Sequence, residues 1–280
     1  MKLLYPFARR FIAGHDFESA KPKIRKLIDD GYEVSIDYLG ESTKTVEDAT
    51  AAVNQYIDII KFYKDSKIDI SIKPTQVGLL IDKNLCFGFL KSVVEAASNH
   101  GHTVRLDMED SSVTSDTIDI CIKLKEIYNN IGVAIQANLI RSEEDLETLV
   151  KNGVSVRLVK GAYLENERVA YQKDGEIISC FFAHAAYLYS EKAYNPAIAT
   201  HDEELLEDIT ELMPNPDYFD YEFLYGIRRD LQKKFLIERE NHVRIYIPFG
   251  EQWFPYTLRR LREWKNLKFV VVNIFKEWFR

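Results

Sequence analysis

Eight short β-rich runs in this sequence each end in, or just before, a side chain that can ionise or hydrogen-bond. In chain order these are Asp37, Lys73, Asp107 and Gln136, then Arg157 with Lys160, Thr200 with His201, Glu222, and Tyr246. Buried parallel strands are ordinarily apolar throughout. A single polar end is explained as well by a salt bridge at a rim, but a full set favours a polar ligand where the ends converge. Within the segment RLVKGAY (157–163) two cations stand three residues apart before a glycine turn. Lys160 suits either a Schiff base or an electrostatic partner for an anionic cofactor, and spacing does not decide between them. Further along, Tyr256, Arg259, Arg260 and Glu263 share a sector of about 100° on an expected helix, with Phe254, Leu258 and Leu261 opposite. Paired arginines on one sector either form a solvated face or grip a carboxylate or phosphate.

These groups must be positioned by something regular. The β-rich runs cover 33–37, 69–73, 104–108, 132–136, 154–159, 197–200, 219–223 and 243–247. Between consecutive runs lie stretches of helical periodicity, among them 45–64, 83–99, 115–128, 142–151 and 228–240. Strand and helix in alternation indicate βαβ units around a parallel sheet. Eight units in a chain of 280 residues predict a (β/α)₈ TIM barrel, with a doubly wound open sheet as the alternative. The barrel is expected over 33–252, within a single domain spanning 1–280. A helical arm, 1–32, precedes it, with a helix over 18–30 that stops at Gly31. C-terminal helices, 253–280, follow. The last carries Ile274, Phe275, Trp278 and Phe279 on one face, suited to packing on the barrel or to docking on a membrane or partner.

Composition narrows the function. The chain is 46% hydrophobic and 29% charged, ordinary for a globular protein, and its net charge of −7 argues against nucleic-acid binding. The longest apolar stretch, near Phe269 to Val272, is far short of the roughly 18 residues of a spanning helix. The apolar run at the N-terminus is too short for a secretory signal, so a cytoplasmic location is expected. Neither GxGxxG nor GxxxxGK[ST] occurs, so a nucleotide cofactor would bind without a Rossmann or P-loop cradle. Cys86, Cys121 and Cys180 are expected as small buried hydrophobes, and His100 and His102 as a surface turn; no metal site is expected.

The segments RLVKGAY, ATHD (199–202), RLDMEDS (105–111), VAIQA (133–137) and VRIYIPFGEQWFPYTLRRLRE (243–263) closely resemble the proline dehydrogenase family. The likeness is to the short, monofunctional bacterial form and runs in order from ARRFIAG (8–14) to NLKF (266–269). It implies a distorted (β/α)₈ TIM barrel with an N-terminal helix, a substrate-capping C-terminal helix and non-covalent FAD at its mouth. It further implies oxidation of L-proline to Δ¹-pyrroline-5-carboxylate, the first step of proline degradation, with electrons passed to a quinone and peripheral contact with the membrane carrying it.

By that resemblance, Asp107 and Arg157 are the catalytic pair, while Met108, Gln136, Lys160, Gly161, Ala162, Thr200 and His201 contact the flavin. Lys73, Arg259 and Arg260 hold the substrate carboxylate, Leu224, Tyr246 and Tyr256 line the proline ring, and Glu263 partners the arginine pair. The roles agree with the chemistry. The cofactor accepts the hydride and the protein orients the two rings. Cations on the carboxylate fix a near-attack pose, and Arg157 and Lys160 can stabilise charge on the reduced flavin. The amine must react neutral, and no residue stands out as its base. Two other readings of the barrel remain at this point: a lyase using Lys73 or Lys160 as a Schiff base, and an inactive binding protein.

The chain departs from the family pattern in places. Strand seven reads FDYEFLYG (219–226) where FEFQMLYG is usual, so Asp220 replaces Glu and Glu222 replaces Gln. The hydrogen bonds usually made there are thereby put in question. Asn138 stands for a common Tyr, and Trp264 for a common Pro.

Overall fold

Side-chain alternation along eight short strands sets the architecture. A computed structural model of the chain describes residues 9–213, 215, 218–238, 241–254 and 256–257. Its strands are β1 (Glu33–Tyr38), β2 (Asp69–Ile72), β3 (Thr103–Leu106), β4 (Ile131–Gln136), β5 (Ser155–Val159), β6 (Ala197–Ala199), β7 (Asp220–Leu224) and β8 (Val243–Phe249). They pair in sequence order, all parallel, and β1 pairs β8 to close the barrel. Closure excludes the open doubly wound sheet. The helices are α1 (Phe17–Asp29) before β1, then α2 (Val46–Phe62), α3 (Lys83–Ser98), α4 (Thr114–Lys125), α5 (Ser142–Lys151), α6 (Asp174–Ser190), α7 (Glu203–Leu212) and α8 (Arg229–Lys233).

Outward-facing strand residues such as Ile36, Ile70, Val133, Val156 and Ile245 are buried beneath the helices in one continuous apolar core. Their inward neighbours differ from the bulky branched residues that usually fill a barrel. Ser35, Asp37, Asp69, Ser71, Arg105, Arg157, Glu222 and Arg244 are all buried. Cross-barrel bonds from Arg157 on β5 to Ser35 on β1, Ser71 on β2 and Glu222 on β7 place these groups in the interior. The interior is therefore an ionic network, tolerable only because its charges are paired.

Local signals explain the helix ends. Asp16 and Ser19 form a reciprocal capping box at the start of α1. At its end Gly31, with φ +90°, donates to Ile28 O while Tyr32 donates to Leu27 O, a Schellman stop.

Three expectations need correction. The helix over 228–240 is interrupted: α8 ends at Lys233 and a π-turn covers Lys234–Glu238. Arg228 takes φ +48°, and its guanidinium is held by Asp230 and Glu203. His102 is not on a surface turn but is buried, its Nε2 lying 3.3 Å from Ile60 O. Cys180 is half-buried, whereas Cys86 and Cys121 are buried as expected. The helix beyond Thr257, with the 273–280 face, lies outside the described residues, as does the start of the arm.

Candidate active site

Lys73 follows the end of β2, its backbone extended into a 3₁₀ turn over Pro74–Val77. Its ammonium donates to Asp37 Oδ1 and Asp107 Oδ2, both at 3.1 Å, and to the Tyr246 hydroxyl at 3.3 Å. Tyr246 donates in turn to Asp107 Oδ2 at 2.6 Å. Burial opposes the charge on Lys73, but Asp37 and Asp107 outweigh it and hold the amine well above its ordinary pKa. Burial likewise works against ionised Asp107, and Lys73 and Arg157 reverse the balance, so its carboxyl sits below the usual range. Asp37 goes the other way, raised by burial despite Lys73.

Arg157 is the hub beneath this cluster. Its Nη1 reaches Asp107 Oδ1 at 2.8 Å, and its Nε reaches Glu222 Oε2 at 2.7 Å. Its Nη2 bonds Ser35 at 2.9 Å and Ser71 at 2.8 Å, with Asp69 at 3.5 Å. The guanidinium carbon lies 5.3 Å from the Tyr246 ring centroid, within cation–π reach. The departure at Glu222 is thus absorbed: its charge pairs with Arg157, while Oε1 stays buried without a partner.

Beside the cluster opens a cavity of about 840 Å³, within the size range of small-molecule and cofactor sites. Lys73, Asp107, Arg157 and Tyr246 line it, and Leu224 and Tyr256 face it from β7 and from beyond β8. Every expected flavin contact also lines it: Met108, Gln136, Lys160, Gly161, Ala162, Thr200 and His201. Gln136 anchors this wall, accepting from Ala162 N at 3.1 Å and donating to Glu109 O at 3.0 Å. Lys160 pairs with Asp202 at 2.5 Å, and Asp202 also caps α7 through Leu205 N. His201 Nε2 accepts from Leu224 N at 3.0 Å, which puts the ring proton on Nδ1. Arg259, Arg260 and Glu263 lie outside the described residues.

The groups do not stand at one level, as reading them all as strand ends implied. Lys73, Asp107 and Thr200 follow their strands, whereas Arg157, Glu222 and Tyr246 lie within theirs and point into the barrel. Sequence reasoning missed Asp69, Ser35 and Ser71 as the seat of Arg157, and Asp202 as the partner of Lys160. Asp202 carried a signal, being an Asp at the start of an acidic-led helical pattern. A second set was also missed: Glu203 and Glu207 on the cavity wall, ion-paired by Arg228 and Lys234.

The family profile described as Proline dehydrogenase matches residues 20–271. The chain belongs to the proline dehydrogenase family. It is 33% identical to Proline dehydrogenase 2 of Bacillus subtilis (strain 168) over 262 residues, covering 91% of this chain and 86% of that protein. It is 31% identical to Proline dehydrogenase of Deinococcus radiodurans over 285 residues, covering 98% of this chain and 91% of that one. These coverages fit the monofunctional form of the family. The fold matches a crystal structure of proline utilization A from Bdellovibrio bacteriovorus inactivated by N-propargylglycine, with a TM-score of 0.85 at 24% identity. That match covers 95% of this chain and 33% of the other. Membership makes the protein an oxidoreductase acting on a CH–NH group. No helix among the described residues is long and apolar enough to cross a membrane.

Proposed function

We propose that the protein oxidises L-proline to Δ¹-pyrroline-5-carboxylate with FAD held at the barrel mouth, and that a quinone takes the electrons. The observation that carries this reading is the gathering of the Lys73–Asp107–Tyr246 cluster, Arg157 and all seven flavin-type positions around one cavity. The wall suits a flavin. Gly161, at φ +123°, turns the backbone at the cavity edge, where its missing Cβ leaves room for Asn138. Met108, Val159 and Leu224 offer apolar surface for a ring, and Lys160 and Arg157 offer cations. The carboxylates Glu203 and Glu207 are neutralised by Arg228 and Lys234, so they do not bar a pyrophosphate.

When bound, the flavin supplies the hydride acceptor. This chain's residues do the rest. Lys73, kept protonated by Asp37 and Asp107, lines the cavity as one positive charge for the proline carboxylate. Arg259 and Arg260 complete that grip by family likeness. Tyr246 packs its ring against the substrate ring while its hydroxyl is held by Asp107. Arg157 and Lys160, both on the cavity wall, would supply positive charge to a cofactor that gains negative charge on reduction. A Schiff-base role for Lys73 is disfavoured: an amine held above its ordinary pKa between two carboxylates is a poor nucleophile. A cytoplasmic protein that meets the membrane only at its surface fits a quinone acceptor.

The decisive experiment is a visible spectrum of the purified protein before and after anaerobic proline. Bands in the blue and near ultraviolet that bleach with proline, and a flavin released by acid, are expected. Colourless protein that stays colourless after reconstitution with FAD overturns the cofactor. Flavin that proline does not bleach overturns the activity. Electron transfer is checked separately by reoxidation of the bleached protein with a soluble quinone.

A further inference from the structure

Glu109 follows Asp107 and Met108 beyond the end of β3; it is 4% exposed and does not line the cavity. Both oxygens of its carboxylate go to one residue. Oε2 accepts from Thr75 N at 3.0 Å, and Oε1 accepts from the Thr75 hydroxyl. Thr75 stands two residues beyond Lys73, in the 3₁₀ turn after β2. The backbone carbonyl of Glu109 accepts from Gln136 Nε2 at 3.0 Å, and Gln136 Oε1 accepts from Ala162 N at 3.1 Å. One residue thus ties the turn beside Lys73 to the cavity wall formed by Gln136 and Ala162.

Other bonds hold the same turn from its far side. Gln76 donates to Tyr38 O at 2.8 Å and accepts from the Tyr56 hydroxyl at 2.8 Å, and Thr75 Oγ1 accepts from Ser42 N at 2.8 Å. The turn therefore keeps its tether to β1 and α2 without Glu109; what Glu109 adds is the link to the segment after β3. Burial raises its carboxyl to about 7, against the bonds from Thr75 and the charge of Lys73. A neutral glutamine of the same shape is less costly to bury, so a contribution to stability is a poor account of a carboxylate here.

We propose that Glu109 is a positioning residue that fixes Lys73 relative to the cofactor wall, and so sets the substrate ring against the cofactor. This role rests on the function proposed above. Lys73 meets the substrate carboxylate on one wall, and Gln136 and Ala162 bound the cofactor on the other. Joining the walls through one side chain keeps the reacting atoms at a near-attack separation, where a displacement of about 1 Å can lower the rate on the order of a hundredfold. Glu109 itself touches neither ligand.

Glu109→Gln and Glu109→Ala in the holoenzyme test this, at a pH above about 7 where the wild-type carboxyl is ionised. Calorimetry reads the affinity of tetrahydrofuroic acid, and stopped flow reads the limiting rate of bleaching by anaerobic proline. Glu109→Ala should weaken tetrahydrofuroate roughly tenfold and slow bleaching by roughly 10- to 100-fold. Glu109→Gln, which keeps an acceptor for Thr75 N, should fall between Glu109→Ala and wild type. The affinity of pyrrolidine, which lacks the carboxylate, should barely change. In a Lys73→Met background the substitution at 109 should no longer alter tetrahydrofuroate affinity, because its effect passes through Lys73. Should Glu109→Ala fail to fold, Thr75→Val, which removes one of the two bonds, should weaken tetrahydrofuroate severalfold. Losses equal in the two backgrounds, or equal for the two ligands, show a merely structural contribution and overturn the proposal. Variants with wild-type affinity and bleaching rate overturn this role alone, whereas a wild type that proline does not bleach overturns the reaction and this role together.

Discussion

The Tyr246 hydroxyl donates a hydrogen bond to Asp107 Oδ2 at 2.6 Å, the same oxygen that accepts from the Lys73 ammonium at 3.1 Å. One carboxylate oxygen therefore positions both the aromatic ring on β8 and the cation after β2. Asp107 gives its other oxygen to Arg157 at 2.8 Å, so three side chains from three strands are oriented by a single carboxylate.

Tyr246→Phe removes that hydroxyl and should destabilise the protein by about 1.5–3 kcal/mol, the worth of a hydrogen bond to a charged group. Urea unfolding measures it, and a change below 0.5 kcal/mol would show that water replaces the hydroxyl freely. On the proposed function, Tyr246→Ser also opens the space beside the substrate ring. It should lower proline turnover and narrow the preference for proline over 4-hydroxyproline. An unchanged ratio of the two specificity constants removes Tyr246 as the gate.

Glu222→Gln keeps the shape of the side chain and removes a negative charge lying 2.7 Å from Arg157 Nε. With less of its charge cancelled, Arg157 should favour the reduced flavin more strongly. The reduction potential of the bound flavin should rise by roughly 30 mV or more, the two-electron equivalent of a tenfold shift. Spectroelectrochemical titration reads this directly, and a lower or unchanged potential contradicts the placement of Arg157 beside the cofactor.

Glu109 gives a pH signature. Burial raises its carboxyl to about 7, against hydrogen bonds from Thr75 N and Thr75 Oγ1 that lower it. A raised carboxyl binds its proton more tightly folded than unfolded, so its ionisation costs stability as pH rises from about 4.5 to about 7. The cost is nil below that window and complete above it, on the order of 3 kcal/mol. Wild type should therefore lose stability relative to Glu109→Gln across this range. Denaturation curves for both at several pH values check it, and parallel profiles refute it.

Arg259→Met and Arg260→Met should each weaken binding of tetrahydrofuroic acid, a proline mimic that is not oxidised at nitrogen, by about 10- to 150-fold. Flavin content should stay near wild type. Pyrrolidine, which lacks the carboxylate, is the control, and its weak affinity should barely change. Equal losses for both ligands would mean that the arginines shape the helix rather than read the carboxylate.

Much of this protein was legible in one dimension. Strand and helix alternated with enough regularity to count eight βα units, because local periodicity records which face of each element is buried. Gly31 marked the end of α1, since capping is local chemistry. Lys73, Asp107, Arg157 and Tyr246 stood out by type and by place in their strands, and long motifs carried the family likeness. Tertiary structure alone decided the pairings. Residue 157 meets residue 222 and residue 107 only when β5, β7 and β3 share one barrel interior, a contact that no local pattern encodes. The same holds for the burial of His102, because burial depends on what distant strands and helices bring alongside.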